Sequence, residues 1–201
     1  MVVSDVEALR ELYGQPGDRA QKKELSGLGS HMEDFIALSP FLVVSSYGTD
    51  GSLDASPRGG EPGWVKVISN TEVLIPDFKG NNRLDTLTNI IETGKVGLLF
   101  LIPGVNETLR INGTAVVTRD AQYLDQIPFK NHPPKTCILV NVQQAFLHCA
   151  KAFMRSNLWE VSAQVDRTVL PTMGVMLNDQ IGGNTAPETQ EEMETRYRKD
   201  L

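Results

Sequence analysis

Aromatic residues are scarce in this chain of 201 residues, with Phe, Trp and Tyr together at 6%. Cysteine occurs twice and histidine three times. No apolar run approaches the length of a bilayer span, and the longest, Val96 to Ile102, has the length of a strand. Basic residues number 19 against 25 acidic ones, a net charge of −6. Each shortage removes a class of function. Cys137 and Cys149 form no CxxC and no metal-type spacing, which argues against a disulfide framework, and two buried free thiols in a reducing cytosol are expected. His31, His132 and His148 share no ligand spacing, which argues against a zinc site or any other dedicated metal site. The acidic balance argues against a binder of duplex nucleic acid. The N-terminus, Met-Val-Val-Ser-Asp-Val-Glu, is acidic and has no apolar core of signal-peptide length, so a cytoplasmic protein is expected. G-x-S-x-G, P-loop and G-x-G-x-x-G motifs are missing, and with them three common catalytic or nucleotide-binding designs.

What the chain does have is centred on Ile75 to Asp85, Ile-Pro-Asp-Phe-Lys-Gly-Asn-Asn-Arg-Leu-Asp. An apolar run (Val73, Leu74, Ile75) reads as a buried strand. A helical pattern follows (Leu84, Leu87, Ile90, Ile91), ending near Thr93-Gly94. Between them lie a glycine, two carboxamides and two cations. Gly80 permits close approach of backbone to a ligand, and Asn81 or Asn82 can cap the helix. A helix N-terminus flanked by Lys79 and Arg83 suits a phosphate. By composition alone, a capped helix with solvated cations fits the stretch equally well.

The rest of the chain reads mostly as strands. A short amphipathic helix is expected over residues 5–13, and a surface helix or loop over 18–29. Ser30 and Glu33 form the pattern of a capping box for a helix over Met32–Leu38. Strands are expected over Phe41–Tyr47, Ser52–Arg58, Trp64–Ser69, Glu72–Ile75, Lys95–Ile102, Glu107–Thr118 and Thr136–Val142, with Gly48–Gly51 as a hairpin turn. Gly113 marks a possible bulge, and the apolar pattern runs on through Gln143–Lys151 with a break or bend. A short helix over Ala121–Phe129 and a loop over Asn131–Pro134 separate the last two strands. Residues 168–177 suggest a helix, and the tail after Gly183 reads either as a frayed helix or as disorder. Short connections favour antiparallel pairing, hence a closed or half-closed antiparallel barrel with flanking helices.

Two further stretches carry polar groups at strand ends. Ser56-Pro57-Arg58-Gly59-Gly60 opens a glycine loop that either frees Arg58 for a ligand or bends the chain at a barrel corner. In Glu107–Gly113, Arg110 and Asn112 alternate with Leu109 and Ile111, so one face is core and the other is solvated or lines a site. His148 and Cys149 are adjacent, but neighbouring strand residues point to opposite faces, which argues against a His-activated thiol.

Taken together, Ser56–Gly63, Ile75–Asp77 with Lys79–Asp85, Gly97–Phe100, Pro103-Gly104 and Glu107–Gly113 form a series that resembles the pyridoxamine 5′-phosphate oxidase-like, FMN-binding split-barrel family, over about residues 30–160. The likeness is to the bacterial branch with SPRGG and GNNRLD runs. It implies a mainly β fold, a six-stranded antiparallel split barrel over residues 41–160. A helical extension over 1–40 precedes it, and a C-terminal extension over 161–201 packs on it or is partly disordered. It implies a homodimer with FMN at the subunit interface, each flavin touched by both subunits. Lys79, Asn82 and Arg83 would hold the FMN phosphate. Ser56, Pro57, Arg58 and Gly59, with Ile75, Pro76 and Asp77, would run beside the ring and ribityl chain. Thr108 would contact the flavin, and Lys151, Arg155, Ser156 and Trp159 would reach the partner's flavin. The implied activity is that of an FMN-dependent oxidoreductase on a small molecule. The alternatives are a non-catalytic flavin carrier or sensor, or a relative that binds haem or deazaflavin. Authentic pyridoxamine phosphate oxidases carry a C-terminal arginine- and tryptophan-bearing motif for the substrate phosphate. It has no clear counterpart after Trp159, so the resemblance does not extend to vitamin B6 oxidation.

Overall fold

A computed structural model describes residues 2–127, 133–183 and 186–200. Seven strands form one sheet: β1 (Phe41–Tyr47), β2 (Leu53–Gly59), β3 (Lys66–Ser69), β4 (Glu72–Asp77), β5 (Lys95–Leu101), β6 (Thr108–Thr118) and β7 (Thr136–His148). Their order is β2-β1-β5-β6-β7-β4-β3, and every pairing is antiparallel. The sheet therefore has one strand more than the six implied by the resemblance. Seven is the number the strand patterns themselves expected; the shortest, β3, has four residues paired only with β4 at the sheet's margin and is shorter than the strand expected over Trp64–Ser69. The architecture is the mainly β split barrel with flanking helices.

Hairpin chemistry sets the first turn. Gly51 has φ 83°, and the Asp50 carboxylate accepts from both the Ser52 N–H (2.9 Å) and its hydroxyl (2.6 Å). That fixes β1 against β2 from Tyr47–Leu53 to Phe41–Gly59. The inward residues Leu42, Val44, Leu98, Phe100, Leu109 and Ile111 pair across β1, β5 and β6 and form the centre of the core.

The irregularity expected at Gly113 is present, but the extra residue lies on the partner strand. Asn112 pairs with Gln144 while Gly113 pairs with Val142, so Gln143 has no partner opposite it on β6. The bulge shifts the burial phase of β7. Ile138, Val140 and Val142 face the core before it, and Ala145 faces the core after it. One extra residue thus lets a 13-residue strand with an interrupted apolar pattern stay in a single sheet.

Three helices precede the sheet: α1 (Val6–Tyr13), α2 (Asp18–Lys22) and α3 (Ser30–Leu38). The capping box expected at Ser30 is not formed. Gly29 is the N-cap, without a side-chain bond, and Ser30 is already the first helical residue. Met32, Phe35 and Ile36 of α3 enter the core. After β4 comes α4 (Asp85–Thr93), which packs on β1, β2, β5 and β6. A short α5 (Ala121–Leu124) follows β6. The helix expected to Phe129 stops at Leu124, with Asp125 as its C-cap and a turn over 125–127, while Pro128 and Phe129 and the loop expected at Asn131 and His132 lie outside the described residues. Past β7 come α6 (Lys151–Ser156), α7 (Met173–Ile181) and α8 (Gln190–Arg198). Among the described residues no helix is long and apolar enough to cross a membrane.

Candidate functional site

The sheet order puts β2 and β4 far apart in hydrogen bonding, yet their ends meet. Arg58, at the end of β2, donates from Nη1 to the Asp77 carboxylate at the end of β4. Both side chains are largely buried, 20% and 13% exposed, so the pair joins the two sides of the split through a solvent-poor gap. Ser56 Oγ accepts from Arg58 Nε at 3.2 Å and orients the guanidinium. Along β2, Asp54, Ser56 and Arg58 are half-buried while Leu53, Ala55, Pro57 and Gly59 are exposed, so the first three share the inward face. The following glycine is spaced for packing. A Cβ on Gly60 would lie 2.6 Å from the Trp64 ring. The glycine thus makes room for the ring at this corner.

Beyond Asp77 the chain turns towards α4. Asn81 Oδ1 accepts from the Arg83 N–H (3.1 Å), while Asn82 and Leu84 both take left-handed backbone, φ 61° and 63°. The capping expected of Asn81 or Asn82 is corrected here. The residue at the N-cap of α4 is Leu84, with no side-chain cap, and the helix begins at Asp85. The asparagines instead serve the turn, where their short polar side chains tolerate left-handed backbone and close a local hydrogen bond. An open space surrounds Gly80, where a Cβ would meet nothing within 4 Å.

Two cations project from this turn. Lys79 Nζ lies 2.6 Å from Asp200 Oδ1, and Arg83 Nε lies 2.8 Å from Asp85 Oδ2. Their side chains are 55% and 74% exposed. The hydrogen bond and charge of Asp85 raise the Arg83 pKa further above its ordinary value, so the guanidinium is always charged. The turn is pinned to β2 and β1 from the helix side. The Thr86 hydroxyl donates to Asp54, and Asn89 Nδ2 donates to Ser46 Oγ at 3.0 Å. Ser56, Arg58, Asp77, Lys79, Asn82 and Arg83 thus belong to one region, in which exposed cations flank a buried ion pair. Ile75 and Pro76 lie just before Asp77 in β4, both buried. The Asp54–Thr86 contact that braces this region had no sequence signal, because the two residues are 32 positions apart.

The remaining predicted residues lie elsewhere. Asp77 pairs with Thr136 at one end of β7, and Thr108 pairs with His148 at the other, roughly 40 Å along a strand of this length. Thr108 is also buried, at 4% exposure. Lys151, Arg155 and Ser156 are on α6, and Trp159 stacks on Phe153 (5.4 Å between ring centres) while donating Nε1–H to Val105 O at 2.9 Å. Within one chain, the turn region and the group of Thr108 with residues 151–159 are not brought together. A groove of about 840 Å³ opens beside the second group, lined by Arg19, Lys23, Glu107, His148, Cys149 and Lys151 among others.

That groove revises the expectation for the thiols. Cys137 is buried, as expected, and desolvation, with Asp77 nearby, pushes it up to about 11. Cys149 is exposed, because β7 ends at His148 and the chain turns there, so both residues line the groove. A thiol reagent at pH 8 is expected to label Cys149 completely and leave Cys137 unmodified until the protein is unfolded, as counted by mass spectrometry. Labelling of two thiols in the native protein would contradict this placement. Among the described residues no group of three His, Cys, Asp or Glu side chains is arranged to hold a metal ion.

Several solved structures are distantly similar to the chain. HupZ of Group A Streptococcus is 17% identical, covering 60% of this chain and 93% of its own, with a TM-score of 0.46. An FMN-binding protein of Syntrophomonas wolfei is 12% identical, covering 72% and 97%, with a TM-score of 0.45. An F420 reductase is 14% identical, covering 60% and 98%, with a TM-score of 0.42. No curated protein matches. The profile of the pyridoxamine 5′-phosphate oxidase family matches residues 28–149, which takes in the whole sheet and the turn after β4. This chain belongs to the pyridoxamine 5′-phosphate oxidase family.

Proposed function

We propose that this chain binds FMN as a homodimer and acts as an FMN-dependent oxidoreductase on a small molecule. The observation that carries the reading is the turn between β4 and α4. It presents Lys79 and Arg83, both exposed, beside the Arg58–Asp77 pair. The donor set suits a phosphate monoester dianion. A lysine and an arginine each supply charge-assisted hydrogen bonds, and their present partners are single carboxylates that an oxyanion could replace. Lys79, Asn82 and Arg83 would hold the phosphate. Arg58, oriented by Ser56 and neutralised by Asp77, would lie along the cofactor with Pro57, Gly59, Ile75 and Pro76. FMN supplies redox chemistry at its ring system, and the protein supplies binding, orientation and local charge. The separation of Thr108 and residues 151–159 from the turn is accounted for by a dimer in which that group serves the partner's flavin.

The test is spectroscopic. The purified protein is expected to carry a yellow cofactor, or to gain flavin absorbance when incubated with FMN, and to scatter light as a dimer. Mass spectrometry of the released cofactor distinguishes FMN from a deazaflavin or haem. A protein that stays colourless and gains no flavin absorbance sinks the reading. Turnover with NADH, NADPH or a substrate separates an enzyme from a carrier.

A further inference from the structure

The contact between Lys79 and Asp200 joins residues 121 positions apart, and it links the turn after β4 to the far end of the chain. That end is a well-capped helix. α8 opens with a reciprocal cap: Thr189 Oγ1 accepts from the Glu192 N–H (3.2 Å), and the Glu192 carboxylate accepts from the Thr189 N–H (2.9 Å). Arg196 grips Glu188 through two bonds of 3.0 and 2.7 Å. Met193 is buried at 8% exposure, and α8 packs on α7. The tail is a self-capped helix resting on α7, and Asp200 lies two residues past its end.

We propose that Asp200 is a tethered competitor at the anion position of the β4–α4 turn, so that a phosphate oxyanion binds Lys79 only when Asp200 leaves it. The inference rests on the reading of this turn as an anion site, and it adds a regulatory element that the reading does not contain. A carboxylate tethered to the same chain acts at an effective concentration in the millimolar range. It lowers the apparent affinity of an external anion by the fraction of molecules in which the contact is open. The pair is exposed enough to exchange, with side chains 55% and 38% accessible. A ligand that engages both Lys79 and Arg83 displaces it, because it gains a second cation whose own partner is the exposed Asp85. Nearby charge is balanced between competitor and competed. Arg83 faces Asp85, with Asp54 also acting on it. Arg58 faces Asp77. Removing one carboxylate at position 200 therefore shifts the turn towards net positive charge.

The experiment uses the full chain and its Asp200→Asn variant, with inorganic phosphate as the probe. Acylation of Lys79 by a small amine reagent is followed by peptide mass spectrometry, at constant ionic strength, across a phosphate titration. Lys79 is expected to react several-fold faster in Asp200→Asn without phosphate, and phosphate is expected to protect it at about threefold lower concentration than in the unaltered chain. FMN and riboflavin are titrated in parallel. FMN should tighten by a similar factor in the variant, and riboflavin, which has no phosphate, should not. Equal phosphate protection in the two proteins overturns the proposal whatever FMN does. Sharpened phosphate protection in the variant, with no FMN binding to either protein, leaves the competitor in place and overturns the flavin reading instead.

Discussion

Alanine at both Lys79 and Arg83 is expected to weaken FMN binding by about 100-fold or more, on the basis of roughly 10- to 100-fold for each charge-assisted hydrogen bond removed. The melting temperature should hardly move. Both side chains are more than half exposed, and each is paired with an exposed carboxylate, so the double substitution deletes surface ion pairs of the kind that contribute little to folding. The burden falls on the ligand because a phosphate dianion at this turn has the two cations as its charged partners. Two controls separate loss of phosphate contacts from general damage. Riboflavin should bind both proteins alike. The unaltered protein's FMN affinity should fall with salt more steeply than the variant's, since exposed charges are screened. An FMN affinity within about threefold of the unaltered protein's in fluorescence titration would refute the phosphate assignment, since one lost charged bond alone exceeds that.

The reasons this site was partly legible in the sequence are local. A strand, a glycine, carboxamides and cations, then a helical period, lie within eleven consecutive residues, and their chemistry needs no distant partner to be recognised. Hairpin turns and alternating strands were legible on the same footing, because Asp50-Gly51 and the period-two patterns of β1 and β6 are short-range signals. What the sequence hid is relational. The Arg58–Asp77 pair depends on how the sheet curls, and Asp200 meets Lys79 from 121 positions away in the chain. The helix start moved from Asn81 or Asn82 to Asp85 because Asn82 and Leu84 take left-handed backbone, and a leucine there goes against its usual preference. Tertiary packing decided that position, since Thr86, Leu87, Asn89 and Ile90 are buried against the sheet and fix where the helix must begin. The exposure of Cys149 escaped notice for a related reason, because an apolar pattern through Leu147 gave no sign that β7 would end one residue later.

Gly113→Ala is expected to be the most damaging single-methyl change in the sheet, at about 3 kcal/mol or more, the upper part of the range for overpacking. A Cβ at this position would lie 2.0 Å from the Asn141 carbonyl oxygen and 3.0 Å from its carbonyl carbon. Neither atom belongs to a side chain that can swing aside. Asn141 sits on β7 between two partners, Thr114 on β6 and Glu72 on β4, so its backbone is held from both sides. Relief requires spreading β6 from β7 beside the bulged Gln143, and that bulge sets the phase by which Val142 and Ala145 both reach the core. A fall in melting temperature of roughly 6–12 °C is the corresponding shift for a chain of this size. Gly80→Ala is the matched control. Its Cβ meets nothing within 4 Å and its backbone needs no left-handed conformation, so its melting temperature should stay close to that of the unaltered protein. Hydrogen exchange adds a spatial readout. Protection should fall at Asn112–Thr114 and Asn141–Gln144 before it falls at the β1–β2 hairpin, because strain introduced at the bulge is released first where the ladder is already interrupted. Equal melting temperatures for the two alanine variants would mean that the strands separate at little cost and that the bulge does not fix the β6–β7 register.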